Sequence, residues 1–134
     1  MSQTTRNPHT HSHAPATGST AVLYAIVDAV LIVAFAVIGR LSHGENAAGF
    51  AETAWPFLVG GLVGWLVIRA WRQPQAIFPS GVIIWVATVV VGMLLRAVTG
   101  YGTHWSFIIV ATIATGVFLL GFRLVMRIIA RITR

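Results

Sequence analysis

The chain has 134 residues, of which 57% are hydrophobic and 9% charged, and its mean hydropathy is +0.83. An ordinary soluble domain has about a quarter of its residues charged, so this composition excludes that class and indicates an integral membrane protein. The net charge of +6 comes from arginine without any lysine, and the absence of cysteine excludes disulfides, thiolate metal sites and cysteine catalysis.

The first twenty residues, Met1–Thr20, are polar and rich in Thr, Ser, His and Pro. A segment with so little apolar surface cannot build a core, so we expect a disordered tail. His9, His11 and His13 alternate within it. Such a histidine tract on a mobile segment would hold a metal only weakly, and we therefore predict no metal site there.

Four apolar segments follow the tail, each close to the roughly 20 residues that a helix needs to cross a ~30 Å hydrocarbon core. They predict an all-α integral membrane bundle with four transmembrane helices, at about residues 21–40, 53–71, 77–96 and 105–127. An even number of spans places both termini on one side of the membrane. That side would carry Arg6, Arg69, Arg72, Arg123, Arg127, Arg131 and Arg134. Because arginine accumulates on the cytoplasmic side, we predict an N-in, C-in orientation.

Asp28 is an acid inside the first predicted span. It lies seven residues from Ala21, which is roughly 10 Å below the membrane surface at 1.5 Å per residue. An acid at that depth is a candidate functional group and also needs a partner. By depth, Arg69 and Arg123 are the candidate partners. Asp28 has three interpretations: a structural ion pair with one of these arginines, a carboxylate that handles protons or cations, or an acid that reaches polar headgroups or water.

The second span contains Gly60, Gly61 and Gly64. Small residues let helix backbones approach closely in lipid, so the glycines predict a packing face. Trp55, Trp65 and Trp71 in and beside this span fit an aromatic interface belt.

One face of the third span carries small and polar residues at helical spacing, namely Gly81, Trp85, Thr88, Gly92 and Arg96. This stripe should face the other helices. It is either a packing surface or a surface that lines the path of a solute.

Polar residues also gather at the predicted outer face, namely Arg40, His43, Glu45, Glu52, Arg96 and His104. Two histidines and two carboxylates are metal ligands in type, but their spacing matches no compact metal motif. An interfacial ion-pair cluster is the favoured interpretation, and neither a metal nor a catalytic residue is predicted.

The two halves of the chain are similar in outline. Arg40 and Gly44 recur as Arg96 and Gly100, and a Trp-x-Phe sequence opens both the second and the fourth span. This pattern predicts a tandem repeat of two helical hairpins related by an axis along the membrane normal. The preference of arginine and tryptophan for membrane interfaces explains it equally well.

Several segments together resemble a family of short bacterial membrane proteins known as domain of unknown function 3054. They are Asp28 in the first span, GRLSHGE (Gly39–Glu45), TAWPF (Thr53–Phe57), GLVGW (Gly61–Trp65), PSGVIIW (Pro79–Trp85) and VGMLLR (Val91–Arg96). The resemblance implies a multi-pass protein of the bacterial cytoplasmic membrane. It brings no activity, so no functional residue is transferred.

The favoured function is therefore a non-enzymatic membrane protein that binds or transports a small solute or ion, with Asp28 and the helix-three stripe along the route. An accessory subunit that docks through its glycine faces is the alternative, and an enzyme acting on lipid-linked substrate is a third. No cofactor and no nucleic acid is expected. Expected partners are membrane lipids, anionic at the inner face beside Arg123, Arg127 and Arg131, and either a second copy or another membrane protein.

Overall fold

The computed structural model describes residues 18–42, 44, 46–100 and 105–133, and these form a bundle of four helices. The helices are α1 (Gly18–Ser42), α2 (Phe50–Ile68), α3 (Val82–Val98) and α4 (Trp105–Ile132). Each helix packs on the one before it, and α4 returns to contact α1. The predicted all-α architecture is confirmed.

Four helical segments are long and apolar enough to cross a membrane. They contain 19 to 28 residues, with Ile77–Val98 as the third. At 1.5 Å per residue, that is about 29–42 Å, enough for a ~30 Å hydrocarbon core. The chain is therefore a multi-pass membrane protein.

Several helix ends differ from the predicted ones. Helix α1 already begins at Gly18, so the last three residues assigned to the tail are helical; residues 1–17 lie outside the described part of the chain. Helix α2 runs from Phe50 to Ile68 rather than from 53 to 71, and α4 continues to Ile132. At helix ends polar side chains interrupt the apolar pattern, so the pattern does not identify the first or last helical residue.

Arg69 ends helix α2 by adopting a left-handed conformation, with φ 52° and ψ 55°. Its N–H bonds back to the carbonyls of Trp65 and Leu66, and a short 3₁₀ turn, Ala70–Arg72, follows. The earlier start of α2 also moves Pro56 from the predicted first turn into the helix interior. Proline there has no N–H to donate to the carbonyl four residues before it.

Helices α2 and α3 approach each other through glycine. A Cβ atom at Gly60 would lie 2.8 Å from the carbonyl oxygens of Ala87 and Thr88, and one at Gly64 would lie 2.8 Å from Cα of Ile84. The glycines predicted as a packing face thus serve a contact within the chain. This close contact explains why α2 and α3 form the most extensive pair in the bundle.

Helices α1 and α4 meet through aromatic and polar side chains instead. Phe35 contacts both Phe57 and Phe107, at centroid distances of 5.3 and 6.4 Å. Toward the other end, Tyr24 packs on Phe122 at 5.1 Å. The order of these contacts shows that α1 and α4 are antiparallel, so the start of α1 and the end of α4 lie at the same end of the bundle.

Candidate functional site

A buried ion pair joins the first helix to the last. Arg123 Nη1 donates to Asp28 Oδ1 at 2.8 Å, and Arg123 Nη2 donates to Asp28 Oδ2 at 2.7 Å. The Arg123 side chain is 0% exposed and that of Asp28 is 4% exposed. Such a two-point contact is the strongest geometry available to a guanidinium and a carboxylate. The acid of the first span therefore has a full counter-charge.

Two further donors of Arg123 bond to backbone carbonyls. Its Nε donates to the carbonyl of Pro74 at 2.9 Å, and Nη1 also donates to the carbonyl of Leu119 at 3.1 Å. Pro74 is itself fully buried. The connection between α2 and the third span is thus folded against the ion pair. The desolvation cost of a buried charge is offset only when its hydrogen bonds are satisfied in this way.

Aromatic rings enclose the pair. Trp65 on α2 donates its indole N–H to Asp28 Oδ2 at 2.9 Å. The guanidinium carbon of Arg123 lies 5.3 Å from the centroid of Phe122 and 5.8 Å from that of Tyr24, within the range of cation–π attraction. The site therefore joins α1, α2, α4 and the connection at Pro74.

Gly81 provides space for this arrangement. A Cβ atom at that position would lie 3.0 Å from Cδ of Arg123 and 3.0 Å from a methyl group of Leu120. A larger residue would press on the arginine and displace it from Asp28. The glycine that opens the predicted helix-three stripe therefore has a specific role in seating Arg123.

Arg69, the other candidate partner of Asp28, does not take that place. The left-handed turn that ends α2 leaves its side chain exposed. Depth along the sequence could not separate the two arginines, because both lie near the same end of the bundle. The direction in which each helix turns its side chains decides in favour of Arg123.

A groove lies beside the ion pair, between α1 and α2, and we name it the Asp28 groove. Its volume is about 270 Å³. Asp28 and Trp65 line it together with aliphatic residues, among them Ala25, Ala29, Ile32 and Leu62. The groove is therefore an apolar cleft with one charged group and two indoles, those of Trp65 and Trp71, in its lining.

The helix-three stripe is covered by neighbouring helices. Thr88 is fully buried, and its hydroxyl donates to the carbonyl of Ile84 on its own helix at 2.6 Å. Trp85 donates to the carbonyl of Thr112 on α4 at 2.9 Å, and its ring lies against Gly116. Phe57 of α2 occupies the space left by Gly92. These contacts are those of a packing surface.

The outer group of predicted residues is only partly described. Arg40 Nε donates to the carbonyl of Asn46 at 2.7 Å, and Nη1 to the hydroxyl of Thr53 at 3.3 Å. The guanidinium of Arg96 lies 4.3 Å above the ring of Phe107, and Glu52 is exposed. His43, Glu45 and His104 lie outside the described residues. Within residues 18–42, 44, 46–100 and 105–133, no three His, Asp or Glu side chains lie together as metal ligands would.

Sequence reasoning missed three residues of the site: Trp65, Pro74 and Tyr24. Trp65 was expected at the membrane interface, whereas its N–H points at a buried carboxylate. Pro74 lies between the predicted second and third spans, and no contact with Arg123 was predicted for it. A buried acid indicates that donors must surround it, but only the packing of α1 against α2 and α4 identifies which ones.

The family model described as "Protein of unknown function (DUF3054)" matches residues 25–126. The matched range includes Asp28, Trp65, Pro74, Gly81 and Arg123, whereas Tyr24 lies one residue before it. No curated protein and no solved structure matches the chain. The chain belongs to the family of unknown function DUF3054.

Proposed function

We propose that this member of the DUF3054 family binds a small neutral molecule within the membrane, in the Asp28 groove. The observation that carries the proposal is the position of a buried carboxylate and an indole in the lining of an otherwise apolar cleft. Ligand sites commonly combine a mostly apolar wall with a few polar groups that fix orientation. The groove, at about 270 Å³, is slightly smaller than typical ligand pockets of roughly 300–1,000 Å³, which limits the ligand to a small molecule.

The ion pair supports a neutral ligand over an ion. Arg123 already balances the charge of Asp28, so the groove offers no net charge to a cation. Oδ1 of Asp28 accepts one bond from Arg123, while Oδ2 accepts two, from Arg123 and Trp65. Since a carboxylate oxygen has two acceptor positions, Oδ1 is the atom that can take a further donor. A hydroxyl group on an otherwise apolar molecule fits this chemistry.

The packing of the bundle favours a ligand site in the groove over a path for a solute through the centre of the bundle. Phe57, Ile84, Thr88 and Leu119 are fully buried where the helices meet. A second groove of about 600 Å³ beside Trp85 and Gly116 has no charged residue in its lining. The Asp28 groove thus has a charged group in its lining, which this second groove lacks. We expect any transport of the ligand to start from this site.

A groove-filling variant tests the proposal without touching the ion pair. Ala29→Phe places a ring in the groove, and Ile26→Phe on the exposed surface of the same helix is the matched control. The readout is native mass spectrometry of protein extracted gently from its own membrane. We expect wild type and Ile26→Phe to retain a small molecule that Ala29→Phe loses, because the added ring occupies its space.

Equal retention in all three proteins would contradict the proposal. A second polypeptide bound in fixed proportion would instead favour the accessory-subunit hypothesis. Docking of a partner through the α2 glycines is not favoured, because α3 covers Gly60 and Gly64.

A further inference from the structure

We propose that the last turns of α4 form a binding site for the headgroup of an anionic phospholipid. Arg127 and Arg131 would bind the phosphate, and Leu124 and Ile128 would contact the adjoining acyl chain. These four exposed residues line one shallow pocket of about 290 Å³. The inference is independent of the Asp28 groove.

The length of α4 brings this pocket to the membrane surface. The helix has 28 residues, which is about 42 Å, and a hydrocarbon core is only ~30 Å thick. If Trp105 marks one interface, Arg127 lies roughly 33 Å and Arg131 roughly 39 Å along the helix. The opposite headgroup layer begins at about 30 Å and continues for roughly 5–8 Å. Arg127 therefore lies within the headgroup layer and Arg131 at its outer edge, where both side chains can reach lipid phosphates.

The helix turns its arginines progressively out of the bundle. Arg123, Arg127 and Arg131 are spaced by four residues, and each step of four advances about 40° around a helix of 3.6 residues per turn. Arg123 is completely buried, whereas Arg127 and Arg131 are exposed. One basic row thus supplies both the internal ion pair and a lipid-facing pair.

Within the part of the chain that the structure describes, no side-chain carboxylate pairs with these two arginines. The chain contains three acidic residues. Asp28 is bound by Arg123, Glu52 lies in the first turn of α2, and Glu45 falls in sequence between α1 and α2. The start of α2 is at the opposite end of the bundle from the end of α4. An external anion is therefore the complement of this surface.

Arginine is well suited to phosphate in particular. Its planar guanidinium can donate two parallel hydrogen bonds to phosphate oxygens, which lysine cannot do. Two arginines one turn apart, with aliphatic side chains between them, match a group that is charged at one end and apolar at the other. A phospholipid has this chemistry, whereas free phosphate lacks the apolar part.

Lipid counting by native mass spectrometry tests the site. Purified protein in neutral detergent is mixed with phosphatidylglycerol or phosphatidylcholine of identical acyl chains. We expect wild type to bind phosphatidylglycerol about 30-fold more tightly, which corresponds to about 2 kcal/mol for two arginines near a membrane surface. Arg127→Gln/Arg131→Gln should lose most of this preference.

The matched control is Arg69→Gln/Arg72→Gln, which removes two exposed arginines at the same end of the bundle but outside the pocket. This control should keep the preference. Equal loss in both double variants would show a diffuse charge effect and overturn the proposal, as would a wild type that does not discriminate. Displacement of the lipid by excess inorganic phosphate would overturn the assignment to a lipid.

A second variant keeps the test decisive if the glutamine variant fails to assemble. Arg127→Lys/Arg131→Lys preserves both charges but removes the two-point contact. A reduced preference in this variant supports the site. An undiminished preference, together with failed assembly of the glutamine variant, would assign the arginines to folding and overturn the proposal.

Discussion

The α2–α3 and α1–α4 interfaces hold the same bundle together by opposite means. Between α2 and α3, side chains are removed: Gly60 and Gly64 let the backbones approach until a single Cβ atom would collide. Between α1 and α4, polar groups are added: Asp28 and Arg123 form a buried pair surrounded by aromatic rings. The first contact depends on shape alone, whereas the second depends on matched charge.

The difference between the two contacts follows from the lipid that surrounds the helices. In lipid, apolar surface gains little by leaving the bilayer for another helix, so association needs either close packing or polar bonds. Close packing tolerates change wherever space remains. A buried charge tolerates little, because a lost partner leaves an unsatisfied ion in a medium of low dielectric constant. We therefore expect the α1–α4 contact to be the more sensitive of the two.

The largest effect is expected when one member of the ion pair is removed. Asp28→Asn leaves Arg123 without its counter-charge and should lower the free energy of unfolding by about 3–5 kcal/mol. Thermal or denaturant unfolding in detergent measures this value. Arg69→Gln, at an exposed position, is the control and should be close to wild type.

The double variant Asp28→Asn/Arg123→Gln sharpens this test. Removing both charges should cost less than the sum of the two single changes, because no unpaired charge remains buried. Strictly additive losses would contradict the pair as a coupled unit.

A smaller effect is expected at the glycine contact. Gly60→Ala forces a methyl group against two backbone oxygens and should cost about 1–3 kcal/mol by overpacking. At Gly61 a Cβ atom would lie 3.1 Å from the end of the Ile32 side chain, which can shift, and 3.4 Å from the Thr88 hydroxyl, an ordinary contact distance. Gly121 has nothing within 4 Å and provides the control for helix propensity.

These alanine variants are compared by the same unfolding measurement. We expect stability to decrease in the order Gly121→Ala, Gly61→Ala, Gly60→Ala. Equal stability of the Gly60 and Gly121 variants would show that the close approach of α2 and α3 is not required.

The smallest effect is expected at the indole of Trp65. Trp65→Phe removes one hydrogen bond to Asp28 but leaves both bonds from Arg123. Interhelical hydrogen bonds in membranes are worth about 0.6–2 kcal/mol, and we expect a loss within that range. Trp105→Phe, at an exposed ring, is the matched control. A loss as large as that of Asp28→Asn would mean that Trp65 holds the carboxylate as firmly as Arg123 does.

The candidate site was only partly predictable. Asp28 stands out because an acid in an apolar run is rare, and the need for a basic partner follows directly. Choosing Arg123 over Arg69 required the left-handed turn that ends α2, which no pattern in the sequence indicates. Trp65 and Pro74 were inaccessible for a related reason: their bonds depend on how α1, α4 and the connection at Pro74 are placed in space.

For the outer residues, too, the sequence did not indicate which groups are in contact. Arg40 was expected to join an ion-pair cluster, and its described hydrogen bonds go to the carbonyl of Asn46 and the hydroxyl of Thr53. Arg96 lies over the ring of Phe107. The predicted cluster with His43, Glu45 and His104 stays a prediction, as do the tandem repeat and the N-in, C-in orientation.

The sequence by itself determined the class of this protein, the number of its helices and the position of one anomalous acid. These features follow from local composition, since about 20 apolar residues make a span wherever they occur. The tertiary structure alone decided that the glycines of α2 serve α3 rather than a partner, and that Arg123 is the counter-charge of Asp28. Both outcomes depend on which faces of distant helices meet, and that is a property of the assembled bundle.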